Sequence, residues 1–136
     1  MKIYTSYYSM IKHLPKDIIP ISIARKPPIG YKGLEYKILA PNKKMLYKWK
    51  FKVKGEEDKY KNNDYYTEEY NKQINSLSFF NVFNDLLNLG QGKDLALICY
   101  EKPNCFCHRH LIANWFNNYN ITIKEYDYNN NKTKEQ

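Results

Sequence analysis

The spacing of apolar positions changes several times along this chain, and each change predicts a different element. Residues 2–8, KIYTSYY, are dense in β-branched and aromatic side chains and predict a first strand. MIKHLPKD follows as a short helical or turn segment that Pro15 stops. IIPISIA (18–24) is nearly continuous in apolar residues, as expected of a strand covered on both faces. Two prolines and two glycines in RKPPIGYKG (25–33) then end regular structure. LEYKILA reads as helical up to Pro41. KWKFKVK (48–54) alternates strictly, with Trp49, Phe51 and Val53 on one side and lysines on the other, which is strand periodicity or an extended arm.

The second half is more regular. NDYYTEEYNKQINSL (63–77) places Tyr66, Tyr70 and Ile74 at four-residue steps, a helical stripe. Ser78 is positioned to cap FFNVFNDLLNLG, whose apolar positions 79, 80, 82, 83, 86, 87 and 89 form a broad face closed by Gly90. DLALICY (94–100) predicts another strand buried on both faces. A helix is expected to begin near Cys107, capped by Asn104 or Cys105, with Leu111, Ile112, Trp115 and Phe116 facing the core. ITIKEY (121–126) predicts a last short strand.

Strands separated by helical stretches predict an α/β fold: a single three-layer domain over 1–126, with a mostly parallel sheet of about four strands and helices packed on it. The polar tail, 127–136, is expected to be disordered. In such sheets ligands bind beyond the carboxyl ends of the strands. Thr5, Ser6 and Tyr7 end the first strand, Arg25 follows the second, and Tyr100 and Glu101 follow the third. Cys107 to Arg109 open the last helix at the same edge.

With 43% hydrophobic and 16% aromatic residues the chain is expected to fold rather than stay disordered. No apolar run approaches the length of a membrane span, so no membrane is expected as partner. The amino terminus lacks the build of a secretory signal, and three clustered cysteines do not resemble a disulfide framework, so the expected setting is reduced and cytoplasmic. The formal charge of +8 suggests a polyanionic partner, but 20 of the 22 basic residues are Lys in a chain crowded with Asn, Tyr and Ile. That is what A+T-rich codons produce. Against such a background the two arginines, Arg25 and Arg109, are informative, because only Arg offers a planar, bidentate, permanently charged fork.

Residues 99–110 hold all three cysteines and two of the three histidines, with Arg109 among them. Three chemistries compete for this segment and its surroundings. In the first, the free amides of a helix start bind an anion, with Arg109 and Arg25 clamping it. Cys107 is then a candidate thiolate nucleophile, His108 its partner and Glu101 a general base, while Thr5, Ser6, Tyr7 and Tyr100 supply further ligand contacts. The plainer accounts are a small buried Cys107 and a Glu101 that merely caps the helix. In the second, the cysteines and histidines hold a metal or act in redox. The run Cys-x-Cys-His-x-His matches no usual zinc spacing, so no metal or other cofactor is assigned. In the third, residues 43–61 bind nucleic acid or a host factor: eight lysines are interleaved with Tyr47, Trp49, Phe51 and Tyr60, and Lys48, Trp49, Lys50 and Lys52 are the candidate contacts. A solvated lysine face over core aromatics explains that stretch more simply and is favoured.

LICYEKPNCFCHRHLIANWF resembles the signature of the domain-of-unknown-function family 488, a Cys-x-Glu after a strand followed by Cys-His-Arg entering a helix. Those positions are Cys99, Glu101, Cys107, His108 and Arg109. IYTSYYS resembles the family's opening strand, ISIARKPP its second strand with an arginine at Arg25, and YKGLEYKILAPNKKML the segment that follows in shorter, phage- or mobile-element-associated members. The resemblance spans residues 2–118 and departs at Ala24, where many members carry Asp. It implies a small α/β fold with the signature at the sheet's carboxyl edge, and it supplies no reaction. The expected function is binding of a small anionic ligand of nucleotide or nucleoside type at that edge. Catalysis and oligomeric state are left open.

Overall fold

The structure is a computed structural model that describes residues 1–51, 64–100 and 107–128. Five strands, β1 (Ile3–Tyr7), β2 (Ile18–Ser22), β3 (Leu34–Glu35), β4 (Asp94–Cys99) and β5 (Lys124–Glu125), form one sheet in the order β3-β2-β4-β1-β5. Every neighbouring pair is parallel. β4 lies in the middle, which explains its unbroken apolar sequence: Leu95 to Cys99 are all buried because both faces and both edges are covered.

Period-2 alternation divides the strands between two cores. Ile3, Ile21, Ile23, Leu95, Leu97 and Cys99 face a large core shared with α1 (Lys43–Phe51), α2 (Asp64–Asn75), α3 (Phe79–Leu89) and α4 (His108–Asn117). Ile18, Ala96 and Ile98 face a thinner layer made by Tyr126 and a 3-10 segment, Tyr8–His13. Helices, sheet and this thin cover are the three layers of an α/β domain. Among the described residues no helix is long and apolar enough to cross a membrane.

The four-residue stripe of α2 is fully inside, Tyr66, Tyr70 and Ile74 each being 3% exposed or less. The Tyr70 hydroxyl donates to the Leu39 carbonyl, so its polar end is satisfied in the core. Ser78 caps α3 by accepting from the Asn81 amide. Gly90 ends that helix for a packing reason: a Cβ there would come within 2.1 Å of the Leu95 side chain. The left-handed conformations fall one step later, at Gln91 and Gly92. Phe80, expected on the apolar face of α3, is 72% exposed.

Two expectations are corrected. The predicted helix over 34–40 is instead the two-residue strand β3 followed by a 3-10 turn, Lys37–Leu39, which brings the strand count to five. The strand predicted from residue 48 is helical as far as it is described, because α1 runs to Phe51. Lysines at every second position persuade as a strand pattern, but one buried face at Met45 with Leu46 and Trp49 packed beside it is enough to hold a helix here. Residues 52–54 of that pattern, the tail from 129 on, and Asn104 and Cys105 as caps lie outside the described residues. Within them, Cys107 takes the N-cap position of α4.

Strand order fixes where a crevice opens. The chain leaves β2 toward β3 at one edge, whereas it leaves β4 toward β5 at the other. The two exits diverge between the carboxyl ends of β2 and β4, and a gap at that point is a property of the topology.

Candidate functional site at the carboxyl ends of β2 and β4

A cavity of about 480 Å³ occupies that gap. Its walls are Ala24, Arg25 and Lys26 after β2, Cys99 and Tyr100 after β4, Cys107 and His108 at the start of α4, and Pro41, Leu46, Trp49 and Tyr66 from the helices above. Trp49 packs edge-on against Tyr66, ring centroids 5.0 Å apart, and both rings border the cavity. The aromatic residue selected as an outward nucleic-acid contact therefore belongs to an inner wall. Lys48 is partly exposed on the same helix, which also carries Lys50; Lys52 lies outside the described residues.

At the cavity wall Cys99 and Cys107 are joined as a disulfide, with Cα atoms 7.5 Å apart. The clustering of the cysteines does not suggest a disulfide framework, and this pairing is not expected from the sequence. Cys99 and Cys107, eight residues apart in the chain, meet because α4 begins beside the end of β4. In this state Cys107 carries no free thiolate. His108 sits beside it, Nδ1 being 3.6 Å from the Cys107 sulfur. The other ring nitrogen, Nε2, lies 2.8 Å from the Ile23 carbonyl. A carbonyl only accepts, so Nε2 carries the proton and Nδ1 keeps a lone pair directed to the sulfurs. Burial pushes the His108 pKa down to about 4, opposed by the Ile23 carbonyl and reinforced by Arg109 and His110, so the ring is neutral at neutral pH.

Arg25 is half-buried at the rim. Its Nε donates to the Pro41 carbonyl at 3.0 Å and its Nη2 to the Ala40 carbonyl at 3.3 Å. Among the described residues its partners are these carbonyls, which fix the guanidinium without neutralising it. Lys26 is exposed beside it. The Tyr100 hydroxyl donates to the Lys26 carbonyl and ties the two strand ends together across the gap.

Arg109 has a different setting. It is completely buried, and its fork grips Glu125 on β5: Nε to Oε1 at 3.0 Å and Nη2 to Oε2 at 3.3 Å. Thr5 donates to the same carboxylate at 2.7 Å. The Tyr7 ring lies under the guanidinium, 5.8 Å from its carbon to the ring centre. The remaining nitrogen, Nη1, donates to the Cys99 sulfur at 2.9 Å. Arg109, Thr5 and Tyr7 thus form an internal network behind the wall, and none of the three borders the cavity. Ser6 is buried on the opposite face of the sheet, its hydroxyl without a hydrogen-bond partner among the described residues.

Of the residues selected from sequence, the fold gathers Arg25, Tyr100, Cys107 and His108 at one cavity, and Glu101 lies outside the described residues. Sequence reasoning missed Glu125, Lys26 and the cavity role of Trp49 and Tyr66. For Glu125 a signal existed: a carboxylate in a short apolar strand invites the search for a buried cation, and Arg109 was the candidate.

Residues 3–120 match the family model described as the active DUF488-N3 subclade. No curated protein and no solved structure matches the chain.

Proposed function

The chain belongs to the active DUF488-N3 subclade of the DUF488 family, and on that premise we propose that it binds a small ligand pairing a planar ring with an anionic group, of the nucleotide class. The carrying observation is the composition of one cavity: Arg25 and Lys26 at one end, the rings of Trp49, Tyr66 and Tyr100 around it, and Cys107 and His108 in its wall. A guanidinium held by two carbonyls offers N–H groups and charge to a phosphate or carboxylate. Aromatic walls take a flat ring by stacking or edge contact. The volume suits a ligand of that size, since small-molecule pockets start at about 300 Å³. Turnover, favoured by the subclade's description as active, falls to the wall of Cys99, Cys107 and His108 and to Glu101, which follows Tyr100 directly in the chain.

Titration calorimetry of the full chain against nucleoside 5′-monophosphates, the matching nucleosides and ribose 5-phosphate tests this. The monophosphate should bind more tightly than either part, and Arg25→Ala should weaken it about tenfold, the equivalent of one charge-assisted hydrogen bond. Equal affinity of wild type and Arg25→Ala for the monophosphate would remove the anion end of the proposal. Absence of heat and of a melting shift with all three probes would remove the whole of it.

A further inference from the structure

Three donor atoms that suit a soft divalent cation converge in the cavity wall. Cys99 Sγ, Cys107 Sγ and His108 Nδ1 all lie within 4.8 Å of one another, and all three residues are buried. They come from the end of β4 and the first turn of α4, which is why their spacing in sequence resembles no zinc motif.

The surroundings prepare these atoms for a metal. His108 Nε2–H is fixed on the Ile23 carbonyl at 2.8 Å, which leaves the Nδ1 lone pair facing the sulfurs. Metal-bound histidines are oriented by the same kind of outer bond. Arg109 Nη1 donates to Cys99 Sγ at 2.9 Å, which fixes the position of that sulfur, and Arg109 is itself balanced by Glu125. The Cα atoms of the two cysteines stand 7.5 Å apart, wider than the roughly 4.4–6.8 Å common for directly bridged pairs. Two thiolates meeting at an ion between them, each about 2.3 Å from it, accommodate a wider backbone separation.

We propose that, in the dithiol form of the protein, Cys99, Cys107 and His108 bind one zinc ion whose fourth position opens onto the cavity. Two sulfurs and one imidazole nitrogen select zinc over magnesium or calcium. Three protein ligands with a fourth position open are the pattern of a reacting zinc rather than a structural one. The dithiol is reached from the disulfide by exchange with two equivalents of a small thiol, which supply two electrons and two protons and leave joined as their own disulfide. Binding then forms two S–Zn bonds and one N–Zn bond and releases both thiol protons to solvent, leaving the site neutral. The metal site uses the wall to which turnover is assigned above, but its formation does not depend on the nucleotide-class ligand, since Cys99, Cys107 and His108 hold the ion alone.

The test uses the full chain reduced with a phosphine under anaerobic conditions and titrated with cobalt(II), then with zinc. One cobalt per chain should bind, with intense thiolate-to-cobalt absorption in the near ultraviolet and the visible bands of tetrahedral cobalt, and one equivalent of zinc should bleach both. Cys99→Ser and Cys107→Ser should each roughly halve the charge-transfer intensity or abolish binding, since one of two thiolates is lost. His108→Gln should shift the visible bands while leaving both thiolates. Circular dichroism of each variant separates ligand loss from unfolding, and zinc-induced stabilisation of reduced wild type gives a readout free of substitution. A reduced wild type that neither absorbs with cobalt nor melts higher with zinc overturns the proposal. So does a band that survives both cysteine variants and disappears in Cys105→Ser.

Discussion

The two arginines of this chain lie at the same edge of one sheet and do opposite things. Arg109, on the β1–β5 side, is fully buried with both ends of its fork on Glu125. Arg25, on the β2–β4 side, is half-buried at a cavity and held by two carbonyls. Both were expected to clamp one anion. The difference lies in the neighbouring strand: β5 brings a carboxylate to Arg109, whereas β2 and β4 diverge beyond their ends and leave Arg25 beside a gap. A buried arginine that already has its carboxylate is a structural post, whereas Arg25, whose partners among the described residues are neutral oxygens, is the one proposed to meet a ligand.

The largest expected effect tests the post. Arg109→Met fills similar space but leaves Glu125 without its cation, and Cys99 and Thr5 lose an ordered neighbour. Removing one partner of a buried pair costs about 3–5 kcal/mol. Urea unfolding should show that loss as a lower midpoint with an unchanged slope. A loss below about 1 kcal/mol, within the range of exposed pairs, would break the contrast between the arginines.

A smaller effect is expected from the other half of the pair. Glu125→Gln keeps an oxygen that accepts from Arg109 or Thr5 and removes the negative charge. The charge-assisted part of two hydrogen bonds is then lost, about 2 kcal/mol. If Glu125→Gln destabilised as much as Arg109→Met, the charge of the carboxylate and not the shape of the arginine would be holding β5 to α4.

How far this contrast was legible in the sequence follows from the length scale of each signal. Buried strands such as IIPIS and DLALIC and the α2 stripe at Tyr66, Tyr70 and Ile74 announce themselves locally, because burial imposes a period on consecutive residues. The capping serine at 78 did so too. The lysine alternation at 48–51 misled, since a helix with one buried face tolerates it and packing of Met45, Leu46 and Trp49 decides the outcome. Arg25, Tyr100, Cys107 and His108 were placed at one edge because they follow the carboxyl ends of predicted parallel strands or open the last helix there, and they do meet there. Which arginine was free was not legible, because the answer depends on Glu125, sixteen residues beyond Arg109 and on an edge strand of two residues. The union of Cys99 with Cys107 was hidden for the same reason: it is a contact between a strand end and a helix start, with no period of its own.

Thr5 sharpens the comparison at the next level down. Its hydroxyl donates to the carboxylate that Arg109 grips, and Thr5→Val removes that bond with little change in volume. A hydrogen bond to a charged, mostly buried acceptor is worth about 1.5 kcal/mol. In the Arg109→Met background the same change should cost more or less than this by at least about 0.5 kcal/mol, because residues in one network are not additive. Strict additivity would mean that Thr5 and Arg109 hold Glu125 independently.

The smallest expected change in stability is at Arg25. Arg25→Ala gives up two bonds to backbone carbonyls, and one of these, at Ala40, still accepts from Gln73 at 2.7 Å. With the Ala40 carbonyl still paired, the loss should stay at or below about 1 kcal/mol. The same variant should weaken binding of a nucleoside monophosphate about tenfold, which is about 1.4 kcal/mol at the ligand. An arginine at a cavity that matters more to the ligand than to the fold is the reverse of Arg109. If Arg25→Ala instead melted as early as Arg109→Met, the tie from β2 to the chain entering α1 would be its main function, and the anion would have to be sought at Lys26.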